Sequence, residues 1–224
     1  MKVSCVIPVY NEAERVGAVI DAVVGHPLID EIVVINDGST DLSLKVLQGK
    51  QGFRLVSYDK NRGKSYAVMT GMAQCKNELI LTLDSDLVGL SRDDITDLIE
   101  PVLSGQADVT FSIRQNSLPV FKLFGLDFVS GERVFYRSHL KNPERLADLP
   151  GFGLEVFHNG QIIDQKLRLK VVPMLNTISP RKSKKFGWWQ GTKGDFRMVA
   201  QIVSILKITG VVSQFHRLRA LRVK

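Results

Sequence analysis

The first 112 residues alternate between short apolar runs and segments whose apolar residues recur at helical spacing. The apolar runs, each predicted to form a strand, cover residues 3–8, 31–36, 53–57, 78–83 and 108–112. The predicted helices between them cover residues 12–24, 43–47, 64–75 and 92–103. Strands that are apolar almost throughout must be buried on both faces, as in a parallel sheet covered by helices. The pattern therefore predicts an α/β fold with a mostly parallel central sheet and helices on both faces.

Beyond residue 112 the pattern is weaker, and residues 115–151 contain only short apolar runs among glycine, proline and basic residues. The elements predicted here are a helix at 154–158, a strand at 167–172, an exposed basic loop at 176–193 and an amphipathic helix at 196–215. We therefore expect one α/β domain over residues 1–175, followed over 176–224 by a basic loop and an amphipathic helical segment.

Several classes of protein are disfavoured by composition. The two cysteines, Cys5 and Cys75, have no motif spacing, which argues against a disulfide framework or a cysteine metal cluster and favours a reducing compartment. No uninterrupted apolar stretch is long enough to cross a membrane. The polar sequence NEAER at 11–15 stands where the cleavage site of a signal peptide would be. We expect a cytoplasmic protein.

Positive charge is concentrated near the end of the sequence. The net charge is +7, but residues 1–180 contain 19 basic and 22 acidic residues, whereas residues 181–224 contain 11 basic residues and one acidic residue. In this segment basic residues precede two tryptophans: Arg181, Lys182, Lys184, Lys185, Trp188 and Trp189. Such a segment beside an amphipathic helix is typical of proteins that attach peripherally to an anionic membrane surface. We therefore expect attachment to the cytoplasmic face of a membrane.

Other interpretations of the basic segment stay open. The helix could pack on the sheet, or form an oligomer contact, with its charged face in solvent. The tryptophans could stack on bases of RNA, but the sequence has no RNA-recognition signature, so we expect no nucleic-acid partner. The oligomeric state is left undetermined by the sequence.

The strongest candidate for a chemical site is the sequence Asp84-Ser85-Asp86, directly after the apolar run at 78–83. Two carboxylates one residue apart at the end of a strand can reach one divalent cation and a neighbouring ribose or phosphate. Their hard oxygen atoms suit Mg²⁺ or Mn²⁺, which in turn bind diphosphate oxygens. The alternative is that the pair only caps a helix or fills a turn.

Polar residues also follow the first two strands. Asp37 begins a turn at the end of the second strand and could accept hydrogen bonds from a base or ribose, although the turn could serve only to start a helix. After the first strand come Pro8, Tyr10 and Glu12. The ring of Tyr10 could stack on a base and Glu12 could bind a ligand, or both could serve packing and the helix dipole.

The sequence KNRGKS at 60–65 places cations and a glycine at the start of a predicted helix, where anions bind well. Gly63 and Lys64 are the candidates for phosphate contacts. The sequence has neither a Walker A motif nor GxGxxG. Each of the four polar clusters follows a successive strand of one predicted parallel sheet, and ligands bind at the carboxyl ends of such strands. That coincidence favours one shared site.

Four motifs, in order and spacing, resemble those of the family 2 glycosyltransferases of the GT-A fold: IPVYNE at 7–12, NDGSTD at 36–41, NRGKSYAVMTG at 61–71 and DSD at 84–86. The resemblance implies an inverting enzyme with a nucleotide-diphospho-sugar donor, UDP-sugar being more frequent in the family than GDP-sugar, and a divalent metal ion. It implies a nucleoside pocket lined by Pro8, Tyr10 and Glu12, with Asp37 at the base. It also places Asp84 and Ser85 at the ribose or phosphate and Asp86, with Asp84, at the metal.

The second half of the sequence is more loosely similar to the subgroup that glycosylates polyprenyl phosphates, such as dolichyl-phosphate mannosyltransferase. DVTFSIR at 108–114 and SGER at 130–133 resemble its segments, which implies that Arg114 and Arg133 clamp a diphosphate or an acceptor phosphate. GFGLE at 151–155 implies that Glu155 lies near the acceptor. The alternatives are solvated or structurally paired arginines, and a buried Glu155 paired with an arginine.

The acceptor decides whether a base is required. A phosphate acceptor is already ionised at neutral pH, whereas a hydroxyl acceptor needs a carboxylate base, for which Glu132 or Glu155 is the candidate. We expect a lipid-linked polyprenyl phosphate acceptor, with a soluble hydroxyl acceptor or a non-catalytic sugar-nucleotide-binding protein as the alternatives. The segment after the DSD motif lacks the Gln and Pro-Pro usual in the family, so a third metal ligand is unassigned.

Overall fold

A computed structural model describes residues 2–149, 151–180 and 209–223 of the chain. In chain order its strands are β1 (Val3–Val9), β2 (Ile29–Asp37), β3 (Arg54–Tyr58), β4 (Leu79–Thr82), β5 (Val109–Arg114), β6 (Arg133–Tyr136) and β7 (Leu169–Met174). Its α-helices are α1 (Val16–Val23), α2 (Ser43–Gln48), α3 (Lys64–Gln74), α4 (Arg92–Leu103), α5 (Pro119–Phe124), α6 (Gly153–Asp164) and α7 (209–220). Two short 3₁₀ helices, Arg137–His139 and Pro143–Asp148, precede α6.

The strands form one seven-stranded sheet in the order β3-β2-β1-β4-β6-β5-β7. β1 pairs in parallel with β2 and β4, β2 with β3, and β5 with β7. The predicted α/β fold with a mostly parallel sheet is thereby confirmed. β6 is antiparallel to both of its neighbours, β4 and β5, and the sequence did not predict it. With only four residues and an arginine at its start, it gives too short a pattern to be recognised as a strand.

Side chains that alternate along the central strands build a core on each face of the sheet. Val6 and Ile35 belong to the core beneath α3, whereas Ile7 and Val34 belong to the core beneath α1 and α4. Alternation is what a strand buried on both faces requires, because successive side chains point to opposite faces. The strands are apolar almost throughout because their side chains contribute to two cores, one on each face of the sheet.

Helix α1 begins at Val16, four residues later than the sequence predicted. The intervening segment is bound instead to the loop after β2. The backbone N–H of Glu12 donates to Ser43 Oγ at 2.8 Å, and that of Ala13 donates to Asp41 Oδ2 at 3.2 Å. These side-chain acceptors take the N–H groups that a helix start would otherwise leave unsatisfied, so the segment forms turns.

The predicted exposed loop at 176–193 is described only as far as residue 180, and most of that part is buried or half-buried rather than exposed. Thr177 is fully buried, and Ile178 forms an isolated bridge with Val88. This correction arises because a Cβ-free residue, Gly89, lets the backbone of Asn176 approach closely. The tryptophans and all of the basic residues of this loop lie outside the described residues.

Helix α7 packs on the rest of the protein. Leu218 is fully buried, and Asn159 of α6 donates to the side chain of Gln214 at 3.1 Å. Just after the helix, the N–H of Leu169 donates to Leu221 O at 3.0 Å. The part of the predicted helix at 196–215 that the structure describes thus agrees with the alternative of a helix packed on the protein. In the described part of the chain, no helix is long and apolar enough to cross a membrane.

Candidate active site

The carboxyl ends of the parallel strands gather most of the polar residues that the sequence singled out. Asp37 ends β2, Arg114 ends β5, and Asp84 lies two residues beyond β4. Because β6 runs in the opposite direction, Glu132, which immediately precedes it, reaches the same end of the sheet. The fold therefore brings together charged side chains from distant parts of the sequence.

The residues predicted to line a nucleoside pocket after β1 lie in different surroundings. Pro8 is inside the buried strand β1 and stands opposite Ile35 of β2. Tyr10 follows the strand and is 45% exposed, so part of its side chain is open to a ligand. Glu12 is ion-paired with Arg15. Contacts of these residues with a nucleoside stay predictions, and the exposed ring of Tyr10 suits such a contact best.

The carboxylate of Asp37 is buried and holds the loop that precedes α3. Its Oδ1 accepts the backbone N–H of Arg62 at 2.7 Å. Its Oδ2 accepts the N–H of Gly63 at 2.9 Å and Nδ2 of Asn61 at 3.0 Å. We call these four residues the Asp37 cluster. Asp37 thus positions the start of α3, and a base contacting it would share oxygens that already accept three hydrogen bonds.

Gly38 allows the two loops of the Asp37 cluster to approach each other. Its φ is +64°, and a Cβ at this position would collide with the backbone of Lys60 and Asn61. A residue with a side chain would therefore be strained and would push the loops apart. The glycine in the motif NDGSTD is a requirement of loop packing.

Lys64, the first residue of α3, bridges two carboxylates that are far apart in sequence. Its Nζ lies 2.7 Å from Asp84 Oδ1 and 2.8 Å from Glu155 Oε1. Burial opposes the charge of Lys64, but the two carboxylates outweigh it and raise the pKa of the lysine above its ordinary value. Glu155 is 1% exposed, and its Oε2 is buried with no hydrogen-bond partner in the described part of the chain. The side chain of Glu155 is therefore paired with a lysine rather than with an arginine.

Arg114 is the centre of a second group of carboxylates. Its Nη1 lies 2.9 Å from Glu132 Oε1 and 3.9 Å from Asp84 Oδ2, and its Nη2 lies 3.7 Å from Asp127 Oδ2. Burial opposes the arginine's charge, but these carboxylates raise its pKa above the ordinary value. Arg114 Nε is buried and has no partner among the residues described. We call the joined groups the ion-pair network: Lys64, Asp84, Arg114, Asp127, Glu132 and Glu155.

Glu132 is the most enclosed member of the ion-pair network, with no exposed surface. Its Oε2 accepts hydrogen bonds from Ser112 Oγ at 2.6 Å and Ser130 Oγ at 2.8 Å, while its Oε1 faces Arg114. Both carboxylate oxygens are thus occupied. The geometry favours a structural role for Glu132 over the predicted role of general base, because a base needs a free oxygen within reach of the proton.

Arg133 is also buried, and its guanidinium binds groups of the protein itself. It donates to the carbonyl oxygens of Phe128 at 2.8 Å and Ser130 at 2.7 Å and to Asn159 Oδ1 at 3.0 Å. It also lies over the ring of Phe111 at 3.9 Å. Burial lowers its pKa to about 10. This geometry favours the structural alternative for Arg133, and its contact with a phosphate stays a prediction.

Asp86 stands beside the ion-pair network, in contact with the segment that follows β7. Its Oδ2 accepts a hydrogen bond from Ser179 Oγ at 2.9 Å. Burial, together with the negative charge of Asp84, raises the pKa of Asp86 to about 6. Ser85, between the two aspartates, is 6% exposed. Of the predicted DSD motif, the carboxylates are thus at the site and the serine is largely enclosed.

The donor set fits a divalent cation that takes part of its coordination from a ligand. No group of three or more metal-binding side chains occurs among the described residues. Mg²⁺ commonly uses only one or two protein carboxylates and completes its shell with phosphate oxygens and water. Asp86 and Asp84 offer such a pair, and a bound cation would offset the burial and the negative charge of Asp84 that raise the pKa of Asp86.

Gly131 packs directly against the pair formed by Lys64 and Asp84. A Cβ at residue 131 would lie 2.5 Å from Asp84 Oδ1 and 2.6 Å from Lys64 Nζ. A side chain here would displace the charged pair, because the pair occupies the space of a Cβ. The sequence motif SGER gave the position, but only the structure gives this reason.

Three residues of the site escaped sequence reasoning. Asp127 joins the ion-pair network, Ser179 binds Asp86, and Ser117 donates to Asp127 Oδ2 at 2.6 Å. They lie in the segments where the strand and helix pattern is weakest. Asp127, three residues before SGER, can be recognised as a site residue only once it is known that the buried Arg114 lies beside it in space.

Comparison with known proteins identifies a family. The sequence model of Glycosyl transferase family 2 matches residues 4–152, which include the Asp37 cluster and the DSD motif.

Two curated bacterial proteins illustrate the similarity to named relatives. The chain is 29% identical over 125 residues to dodecaprenyl-phosphate galacturonate synthase of Rhizobium johnstonii, covering 52% of this chain and 37% of that protein. It is 32% identical over 123 residues to undecaprenyl-phosphate 4-deoxy-4-formamido-L-arabinose transferase of Pseudomonas fluorescens, covering 51% and 36%. The matched region spans little more than a third of the length of these relatives.

Solved structures share the fold over most of the chain. Glucosyl-3-phosphoglycerate synthase of Mycobacterium tuberculosis, crystallised with Mn²⁺, UDP and glucosyl-3-phosphoglycerate, superimposes with a TM-score of 0.69 and 22% identity, covering 91% of this chain and 79% of that one. The same enzyme with Mg²⁺ and UDP gives a TM-score of 0.68, also at 22% identity, with coverage of 91% and 78%. At this identity the similarity establishes the fold.

Proposed function

The chain belongs to glycosyl transferase family 2, and we propose that it transfers a sugar from a nucleotide-diphospho-sugar to a polyprenyl phosphate, with inversion and with the help of a divalent metal ion. The observation that carries the proposal is the position of Asp84 and Asp86 after β4, beside Lys64 and Arg114. Both curated relatives have a polyprenyl phosphate in their names, and this supports a lipid acceptor.

The donor would be held by groups that the protein leaves only partly satisfied. Arg114 Nε is a buried donor without a partner in the described part of the chain, and a phosphate oxygen would satisfy it. Lys64 Nζ, fixed between Asp84 and Glu155, has a third proton to donate. Asp84 and Asp86 would hold Mg²⁺ or Mn²⁺, which when bound neutralises charge on the departing nucleoside diphosphate.

The positive charges of Lys64 and Arg114 would both act on the leaving group. Negative charge grows on the diphosphate as the bond to the sugar breaks, and fixed cations at a buried site stabilise that charge. The carboxylates around Lys64 and Arg114 keep these side chains protonated and in place before the donor arrives. We favour UDP-sugar as the donor, because UDP occupies the structural neighbours, and leave GDP-sugar as the alternative.

The state of Glu132 favours an acceptor that arrives already ionised, whereas Glu155 keeps one unpartnered oxygen and stays the candidate base for a hydroxyl acceptor. Glu132 has both oxygens occupied, and Glu155 is paired with Lys64 through Oε1. A phosphate acceptor needs no base at neutral pH. The unpartnered Oε2 of Glu155 would then accept a hydrogen bond from a hydroxyl of the bound sugar, and it would not need to take a proton from the acceptor.

A lipid acceptor also suits a protein attached to the cytoplasmic face of a membrane. We propose peripheral attachment through the basic C-terminal segment, with no nucleic-acid partner. The division into an α/β domain at 1–175 and an appended segment at 176–224 belongs to the same proposal.

The test is the release of nucleoside diphosphate from a panel of UDP-, GDP- and dTDP-sugars, with Mn²⁺, Mg²⁺ or EDTA, with and without a short-chain polyprenyl phosphate. We expect metal-dependent release from one donor, stimulated by the lipid phosphate. Asp86→Ala should abolish it. Asp93→Ala, which removes an exposed carboxylate at the start of α4, is the matched control and should keep the wild-type rate.

The possible outcomes separate the alternatives. Release without stimulation by the lipid phosphate would keep the sugar transfer and turn the search to soluble hydroxyl acceptors. Binding of a sugar nucleotide without turnover under any condition would indicate a non-catalytic binding protein. Failure to bind any sugar nucleotide, by a correctly folded protein, would contradict the proposal altogether.

A further inference from the structure

Helices α5 and α7 together present an exposed apolar surface edged by basic side chains. On α5, Val120 is 49%, Leu123 79% and Phe124 36% exposed, and on α7 Val212 is 52% exposed. The flanking basic residues are also exposed: Lys122, Arg219 and Arg222. We call these seven residues the α5–α7 patch. Exposed large apolar side chains are common singly, but a cluster from two elements marks an interaction surface.

We propose that the α5–α7 patch docks on an anionic lipid surface, with its apolar side chains entering the interface and its basic side chains at the headgroups. The proposal rests on the lipid acceptor put forward above, because it gives that acceptor a membrane from which to reach the site. It goes further in assigning the contact to described residues of the folded domain.

Contacts between the two helices fix the patch as one surface. The rings of Phe124 and Phe215 meet edge to face with centroids 5.4 Å apart. Arg222 Nη1 donates to Phe124 O at 3.0 Å, and the Arg219 guanidinium lies 5.4 Å from the centre of the Phe124 ring. The arginine side chains therefore cover the end of α5 and hold positive charge next to the exposed apolar groups.

The charge of the patch indicates which kind of partner can bind to it. Residues 115–126 and 209–223 contain four basic residues and no acidic residue. The segment at 181–208 of the same chain carries seven basic residues and one acidic residue, and a second copy of the patch would also be basic. Both would be repelled. An anionic lipid surface satisfies the basic and the apolar groups together, whereas a nucleic acid would leave Leu123 and Val120 in water.

The patch lies close to the site in the chain and in space. Residues 115–118 connect Arg114 to α5, and the backbone N–H of Arg114 donates to Ser117 Oγ at 3.0 Å within this connection. Docking of α5 on a membrane would therefore hold the connection that leads to Arg114 next to the lipid surface. A lipid-linked acceptor in that surface would then be near the protein that uses it.

The experiment places a fluorescent reporter within the patch. Cys5 and Cys75 are both buried, so Leu123→Cys can be labelled selectively with an environment-sensitive dye in the full chain. Leu42→Cys is the matched control, since Leu42 is 66% exposed at the start of α2 and outside the patch. Each labelled protein is mixed with vesicles of phosphatidylcholine, with or without phosphatidylglycerol, and with a short single-stranded RNA.

We expect a blue shift of the dye at residue 123 on anionic vesicles only, and no shift at residue 42. The double variant Lys122→Glu, Leu123→Glu should lower the partition coefficient on anionic vesicles at least about tenfold relative to Lys45→Glu, Leu42→Glu. Its donor release with a short-chain acceptor in detergent should equal that of the wild type.

Three results would overturn the inference. They are the absence of binding to anionic vesicles, binding without a spectral shift at residue 123, and a shift produced by RNA instead of vesicles. The second would mean that another segment makes the contact. Because turnover in detergent is measured separately, a failed docking surface is distinguished from a failed enzymatic proposal.

Discussion

The Asp37 cluster and the ion-pair network hold carboxylates at the same end of the sheet in different ways. Asp37 accepts its hydrogen bonds from backbone and amide N–H groups of one neighbouring loop. The ion-pair network instead balances the carboxylates of Asp84, Glu132 and Glu155 with the charges of Lys64 and Arg114. Neutral donors from a single loop hold Asp37, whereas the charged network joins α3, β5 and α6 with the segments after β4 and before β6.

The difference teaches which of the two is more vulnerable to a single substitution. Loss of a neutral hydrogen bond removes that bond alone, and water can often replace part of it. Loss of a buried cation leaves several carboxylates uncompensated at once. We therefore expect substitutions in the ion-pair network to cost more stability and more activity than substitutions in the Asp37 cluster.

The largest effect is expected for Arg114→Ala. The change leaves Glu132, with no exposed surface, and Asp127, 3% exposed, without their cation. The free energy of unfolding should fall by about 3–5 kcal/mol in urea titrations. Arg168→Ala is the control, because Arg168 forms an exposed pair with Asp108 and its loss should lower the free energy of unfolding far less. Similar losses in both variants would remove the distinction between the two regions.

Gly131→Ala should break the geometry of the ion-pair network while leaving the fold intact. The new Cβ would lie 2.5 Å from Asp84 Oδ1, so the pair with Lys64 must shift. Gly131 is not among the glycines with positive φ, so the backbone tolerates alanine. We expect donor turnover to fall roughly 100-fold with little change in melting temperature. Gly160→Ala, whose Cβ meets no atom within 4 Å, should leave turnover unchanged.

Asp37→Ala should have a smaller effect on stability than Arg114→Ala. It removes the acceptor of Arg62 N–H, Gly63 N–H and Asn61 Nδ2, all of which lie near solvent in the loop. The free energy of unfolding should fall by about 2 kcal/mol. Asp37→Asn keeps one acceptor oxygen and should lose less than Asp37→Ala. An equal loss in the two variants would show that the charge, not the number of acceptors, holds the loop.

The smallest effect is expected for the pH dependence of stability that comes from the buried side chain of His158. Burial, reinforced by the charge of Arg133, lowers the pKa of His158 well below 6.5. The unfolded chain takes up a proton near pH 6.5 and the folded protein does not. The contribution of His158 to the free energy of unfolding is therefore fully present above this pH. Below it, this contribution falls by at most about 1.4 kcal/mol per pH unit.

Urea titrations between pH 5 and pH 7.5, of the wild type and His158→Gln, measure this contribution. The variant should have a shallower dependence of stability on pH, because glutamine takes up no proton. A parallel dependence in both proteins would show that His158 is protonated in the fold.

The sequence predicted the first half of the site well because its information is local. Every strand from β1 to β5 has an apolar run, and Asp37, Lys64 and Asp84 follow such runs or begin the next helix. Once the sheet is taken as parallel, strand order hardly matters, since all carboxyl ends lie on one side. The motifs could therefore be assigned to one site without any knowledge of contacts.

The second half could not be predicted in this way because its residues depend on partners elsewhere. Nothing near Arg133 in sequence indicates that its guanidinium is consumed by Phe128 O and Asn159. The family resemblance identified Arg133 and Glu155 as residues of interest, and a structural role for each was an alternative that the sequence could not decide. Burial follows from β6 running antiparallel in the middle of the sheet, a four-residue strand with no pattern of its own.

The bridge made by Lys64 has a consequence for the order in which the protein assembles. Lys64 and Glu155 are 91 residues apart, and Asp86 and Ser179 are 93 apart. Contacts that close such long loops form slowly and late, after local helices and neighbouring strands. During synthesis the first strands can pair and bury their apolar faces before Glu155 emerges from the ribosome. The site is then completed by later-made segments, so a nascent chain can pair its first strands before it gains the geometry of the site.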